Sequence, residues 1–342
     1  MDRVVALDIV KAIAICLLVL GHVIEGLGHR GLIDSTSFLP AFQDWLRGFR
    51  MPSFFFAAGA VIGLRPLPPA GYFLRHRLAT LAWPHLLWGT IALAVAIVFA
   101  RYYNSPIQDP GNLGRHLVDM ATGQRSWFLA ALFVVSLGGY ALFRIDARLA
   151  LAVGLLLCLL PIDSPWRVVS RSADYAVFFA LGYGGIELLL RITAAVPFRL
   201  LWLLAPAVFA LSVVLHLILP PFSHPYWGGV SLLAQGLAGA AGVWCLSTLI
   251  AAGSGLRRVL ATLGTASLAI FVMHPMAIGA AREILLPLLR HAPPIVPTLA
   301  IAVAGIALPA FAYYLLKRTG LVAPVLILPP PRMKPRPALQ ER

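Results

Sequence analysis

The chain has 342 residues, of which 60% are hydrophobic and 12% charged, and its mean hydropathy is +0.87. Soluble domains are about half apolar and a quarter charged, so these values exclude an ordinary soluble globule, a disordered chain and a small disulfide scaffold. The formal net charge is +14; in so apolar a chain it bears first on membrane orientation, and nucleic acid is not expected as a partner.

A helix needs about 20 mostly apolar residues to cross a bilayer. In chain order the predicted spans are 9–27, 51–64, 78–100, 126–143, 149–162, 175–190, 200–219, 228–252, 259–281 and 295–317. The fold class is therefore all-α, a polytopic transmembrane helix bundle of about ten spans. The first run contains Lys11, His22 and Glu25 and no small-x-small cleavage site follows it, so it reads as a retained span. Before the second span, Phe38, Leu39, Phe42, Trp45, Leu46 and Phe49 recur at helical spacing. They predict a separate amphipathic helix in the outer interface. Pro84, Pro206, Pro275 and Pro309 fall inside spans, where neighbouring helices can satisfy the freed carbonyls. The apolar run 321–328 is too short to cross. Residues 1–320 are read as an integral-membrane domain and 321–342 as a Pro-rich basic tail, extended near anionic headgroups. Cys16, Cys158 and Cys245 each lie in an apolar run and make neither a disulfide nor a zinc pattern. They read as small core residues, and no metal is expected.

Ten spans put both ends on one side. Most of the 27 Lys and Arg fall on that side, in short loops that hold two or three each, while most acids fall on the other. The positive-inside rule then places both termini in the cytoplasm. No internal repeat is evident, so an inverted-repeat transporter gains no support.

Asp8, Lys11, His22 and Glu25 interrupt the first span. Eleven residues separate Lys11 from His22, three helical turns plus about 20°, so His22 lies on the same face about 16 Å deeper. Asp8 and Glu25 each lie three residues from their partner, and the four make one stripe. The plain alternative is two structural ion pairs near the helix ends. Ionisable groups at membrane depth are costly and mark functional sites. A neutral histidine suits general-base work, and a neighbouring carboxylate sets its tautomer.

With this stripe in hand, the sequence resembles the membrane acyltransferase-3 family, whose members acylate sugars of bacterial surface glycans. The resemblance rests on Leu7-Asp8-Ile9-Val10-Lys11 followed by Gly21-His22, and on Arg50-Met51-Pro52-Ser53-Phe54-Phe55-Phe56-Ala57-Ala58-Gly59. It continues through Phe73-Leu74-Arg75-His76-Arg77-Leu78 with Trp83-Pro84, Trp127-Phe128-Leu129, Phe178-Phe179 with Gly182-Tyr183, and Met273-His274-Pro275. Each piece is weak and the ordered set is specific. There are departures. The family's Ser before Gly59 is Ala58, its Arg-x-x-Arg pair is Arg75 and Arg77, and His85 stands where an aromatic residue is common.

The resemblance implies an O-acyltransferase of the bacterial cytoplasmic membrane. It would take an acyl group, acetyl being the commonest expectation, from cytoplasmic acetyl-CoA or another acyl-CoA. The acceptor would be a hydroxyl of an extracytoplasmic glycan or lipid-linked sugar. His22 is the implied base, with Glu25 orienting it. Lys11, Arg75 and Arg77 are candidates for the donor's phosphates, with His85 near the same inner side; Arg75 and Arg77 also fit plain positive-inside topology. Arg50, Trp127 and His274 are candidates for the acceptor or the developing oxyanion, although Trp127 fits an interfacial belt and His274 a packed residue beside a Pro kink. Direct transfer and a histidine-bound acyl intermediate both remain open. A glycan or lipid flippase with a His22–Glu25 proton relay is the alternative class, and an inactive glycan- or lipid-binding relative a second. His116, His216 and His224 receive no role.

Overall fold

The computed structural model describes residues 5–99, 111–253 and 255–328, and every regular element among them is helical. The Pro-rich stretch 329–342 and residues 100–110 lie outside the described residues. The helices are α1 Val5–Gly28, α2 Phe38–Gly63, α3 Ala70–Arg77, α4 Trp83–Val98, α5 Leu113–Ala121, α6 Trp127–Phe143, α7 Ala147–Leu159, α8 Arg167–Ala195, α9 Phe198–Ile218, α10 Gly228–Ala252, α11 Gly255–Thr265, α12 Ser267–Leu289, α13 Ile295–Arg318 and α14 Val322–Val325. Seven runs are long and apolar enough to cross a membrane: α1, the continuous run Ala70–Val98, α8, α9, α10, α12 and α13. Helices α6 and α7 are apolar but shorter.

Several boundaries differ from those read in the sequence, among them an earlier start of α8 at Arg167, and three differences bear on the site. The predicted interfacial helix and second span are one continuous helix, α2, which passes through Pro52 without breaking. Its middle carries Arg47 and Arg50, so hydropathy divides what the backbone joins. The predicted span 259–281 is divided at Ala266 between α11 and α12. Helix α12 then runs to Leu289, eight residues past the predicted end. Arg282 and Glu283 lowered the apolar signal there, yet Arg282 is 2% exposed within the bundle. The third difference is a π-helical segment, Leu78–Ala82, between α3 and α4. Pro84 has no N–H to offer the carbonyl of Thr80, and the helix widens just before it.

Helix α1 is central. It packs against α2, α10, α11, α12 and α13, and 67% of its span is buried, against 17% for α9 at the periphery. Small residues let its neighbours approach closely. A methyl group built on Gly264 would overlap the backbone oxygen of Asp8, so α11 rests directly on the α1 main chain. Helices α2 and α8 meet in the same way. Methyls on Gly59 and Gly63 would strike the carbonyl oxygens of Phe179 and Tyr183, and one on Gly182 would strike that of Phe56. Without a hydrophobic drive between helices in lipid, such backbone approach supplies much of the association energy. After α13 the chain folds back: the Trp88 indole donates to the Val325 carbonyl at 2.9 Å, and Leu326 is buried.

Gly59→Leu is expected to cost about 3 kcal/mol, because backbone on both sides cannot move aside. Thermal unfolding in detergent should show a clearly lowered Tm, and an unchanged Tm would contradict the close α2–α8 contact.

Candidate functional site

The site begins with the α1 stripe. Lys11 Nζ lies 2.7 Å from Asp8 Oδ1, and three turns further His22 Nδ1 lies 3.4 Å from Glu25 Oε2. A carboxylate can only accept, so in the neutral ring Nδ1–H donates and the Nε2 lone pair is left open. Arg47 Nη2 stands 3.7 Å from the other Glu25 oxygen and holds that carboxylate from the far side.

Helix α12 brings a second histidine. His274 stacks on His22 with ring centroids 5.3 Å apart and planes 21° apart. Its orientation follows from its own sequence. Pro275 deprives the Phe271 carbonyl of its helical donor, and His274 Nδ1 reaches that oxygen at 2.7 Å, with Ile270 O at 3.2 Å. His274 therefore also presents Nε2 as an acceptor. The His-Pro pair is a self-completing device: the proline frees a carbonyl and the histidine fills it.

Helix α2 supplies a cation. Arg50 is buried, yet its Nε and Nη1 make no hydrogen bond among the described residues. The guanidinium lies over α1 at Gly21, where any methyl would overlap Nη1. Glycine beside His22 thus makes room for Arg50, which explains physically why those two residues stand together.

His22, Arg50 and His274 line one cavity of about 970 Å³ with His85, Trp127, Arg167 and Arg282. Two polar contacts involve its wall: the Arg167 Nη1 donates to the Gln124 carbonyl at 3.1 Å, and Glu283 pairs with Arg30 Nη2 at 2.7 Å. Along α4 and α12 the walls are apolar, with Trp88, Ala92, Val95, Met276 and Gly279. Trp127 stacks on Tyr175 at 5.4 Å and 8°, and the Arg171 guanidinium lies 5.7 Å from its ring. Trp127 is thus held by protein neighbours as well as facing the cavity. Among the described residues no group of His, Cys, Asp and Glu could hold a metal.

These contacts decide which candidates meet. His22, Arg50, Trp127 and His274 share the cavity, and Glu25 stands behind His22. Lys11, Arg75 and Arg77 do not line it. Arg75 is exposed and bonds the Gly71 carbonyl, and Arg77 lies 4.8 Å over the Phe73 ring with Nε unpartnered. His85, placed by sequence near the inner side, lines the same cavity as His22. The π segment adds to the turn before α4 and sets the face on which His85 emerges, an effect that hydropathy does not register. Arg282, one residue beyond the predicted end of its span, lines the cavity too. The signal that could have found both was proline position and the pairing of Arg282 with an adjacent acid.

The family model described as an acyltransferase domain matches residues 4–314. The chain belongs to the acyltransferase-3 family. Comparisons with curated proteins and with solved structures find no match. In this family member, a multi-pass membrane protein, the match covers α1 through most of α13, so the cavity lies wholly inside the acyltransferase domain.

Gly21→Ala is expected to displace the Arg50 guanidinium while leaving the fold intact, since the clash is with the movable end of a side chain. Acyl transfer should fall at least tenfold with stability changed by less than about 1 kcal/mol. Wild-type activity in that variant would remove Arg50 from the site.

Proposed function

We propose that this protein is an O-acyltransferase that moves an acyl group, most simply acetyl, from acyl-CoA to a sugar hydroxyl. The donor comes from the cytoplasm and the acceptor is an extracytoplasmic glycan or lipid-linked sugar of the cell envelope. The observation that carries the reading is the juxtaposition of an oriented histidine, His22 on Glu25, with the unpartnered Arg50 guanidinium at the wall of one cavity.

The chemistry follows from the free atoms. The acceptor hydroxyl donates to His22 Nε2, which takes its proton as the oxygen attacks the thioester carbonyl. The Glu25 carboxylate stabilises the imidazolium that forms. The Arg50 N–H groups stabilise the oxygen that gains charge, and the buried setting strengthens that interaction. Collapse expels the coenzyme A thiolate and leaves the ester. Protonated His22 returns its proton to that thiolate. His274 Nε2, stacked beside His22, offers a second acceptor for an acceptor hydroxyl, and Trp127 bounds the space for the sugar.

Lys11, Arg75 and Arg77 lie away from the cavity, toward the ends of α1 and α3. Positive charge there suits the phosphates of a donor whose thioester end alone reaches His22. In this reading both termini are cytoplasmic in a bacterial inner membrane, consistent with the excess of Lys and Arg on that side.

His22→Ala should lower kcat for transfer from labelled acetyl-CoA by about 10²–10⁴-fold without loss of membrane insertion. Arg77→Ala should raise the acetyl-CoA KM and leave the acceptor KM unchanged. Equal acylation by wild type and His22→Ala, measured on purified protein or by mass spectrometry of surface glycans, would reject the base assignment.

A further inference from the structure

His85 is the one cavity histidine that the proposed mechanism does not use. It is 5% exposed and lies three residues after the π-helical segment. Short π segments inside helices are frequent at functional sites, because they redirect the residues that follow.

Its surroundings fix its tautomer. The last carbonyls of a helix lack internal donors, and at the end of α5 three of them are taken locally. Thr122 N–H bonds Val118 O, Gln124 N–H bonds Asp119 O, and Gly123 N–H, at φ 75°, bonds Met120 O. The fourth, Ala121 O, faces His85 Nε2 at 3.3 Å. A carbonyl accepts only, so Nε2 carries the proton and Nδ1 is a lone pair. That Nδ1 is buried and has no hydrogen-bond partner. His22 and His274 are tied through Nδ1, which leaves Nε2 as the acceptor; His85, in the wall of the same cavity, is tied through Nε2, which leaves Nδ1 as the acceptor. Capping α5 requires only a donor, so it does not account for an acceptor left bare at a cost comparable to a lost hydrogen bond.

We propose that His85 Nδ1 is a hydroxyl-binding subsite that accepts a hydrogen bond from a second hydroxyl of a polyol acceptor and so selects which hydroxyl meets His22. This rests on the acyl-transfer reading and deepens it. The acceptor class it implies is a sugar with neighbouring hydroxyls, held at two points, rather than a simple alcohol. His85 is a positioning residue for the reaction at His22. The donor's thioester does not need it.

Three proteins test this: wild type, His85→Gln and His85→Asn. The Gln amide can keep the N–H to Ala121 and loses the Nδ1 acceptor, whereas the Asn amide oxygen falls near the Nδ1 position. Acetyl transfer is measured onto methyl α-D-glucoside and onto 1-propanol. Binding of each is read from the fluorescence of Trp88 and Trp127, which line the cavity. His85→Gln should raise KM and Kd for the glucoside roughly three- to tenfold, as expected for one hydrogen bond, and leave propanol and acetyl-CoA unchanged. His85→Asn should restore most of the glucoside affinity. On the unaltered protein, deoxy analogues lacking a hydroxyl next to the acetylated one should show the same rise, which keeps the test open if a variant fails to fold. Identical glucoside behaviour in wild type and His85→Gln would overturn the subsite, as would equal losses for glucoside and propanol, deoxy analogues as good as the parent, or no glucoside binding by wild type. Glucoside binding that is weakened in His85→Gln, with no acetyl transfer by any protein, would overturn the acyl-transfer reading and leave the subsite standing.

Discussion

A polar group at membrane depth must find its partner inside the bundle, because hydrocarbon offers none. The site follows from how that requirement is met, and from where it is left unmet. Several groups are answered locally: buried Asp8 by Lys11, half-buried Glu25 by His22 and Arg47, and the carbonyl freed by Pro275 by His274. Other buried atoms are not answered, among them Arg50 Nε and Nη1 and His85 Nδ1, and both of those residues line the cavity that holds His22. Unpaired buried donors and acceptors are expensive, and Arg50 and His85 bring three such atoms to residues at the wall of one space, where a polar substrate would complete the network.

Close packing makes this arrangement possible. Helix α1 carries the stripe and is also the most buried of the spans. Glycine lets α11 rest on its backbone at Asp8 and lets Arg50 lie over it at Gly21. Glycines in α2 and α8 lock the helix that carries Arg50 against the helix that carries Tyr175, the residue on which Trp127 stacks. The same small residues therefore serve association in lipid and the placement of the site.

Prolines act as the second organising element. Pro84 coincides with the π segment that precedes His85, and Pro275 frees the oxygen that orients His274. At Pro275 the histidine itself takes the freed oxygen, which sets its ring, and at Pro84 the widened helix turns the chain just ahead of His85. The three cavity histidines are tied through different ring nitrogens, Nδ1 in His22 and His274 and Nε2 in His85.

The sequence alone determined the membrane character, the helical class, the family, and the pairing of Asp8 with Lys11 and His22 with Glu25. These depend on composition and on the fixed period of a single helix, which is local information. It also marked Arg50, Trp127 and His274, through motifs whose order along the chain is specific. Only the tertiary structure decided that α2 is one helix through its charged middle, that α12 continues past Arg282, and that His22 stacks on His274. It also separated Lys11, Arg75 and Arg77 from the cavity and brought His85 into it. Hydropathy reads a charge as an ending, whereas a packed bundle can bury that charge against another helix. A π segment, likewise, turns a side chain to a new face without changing the composition around it.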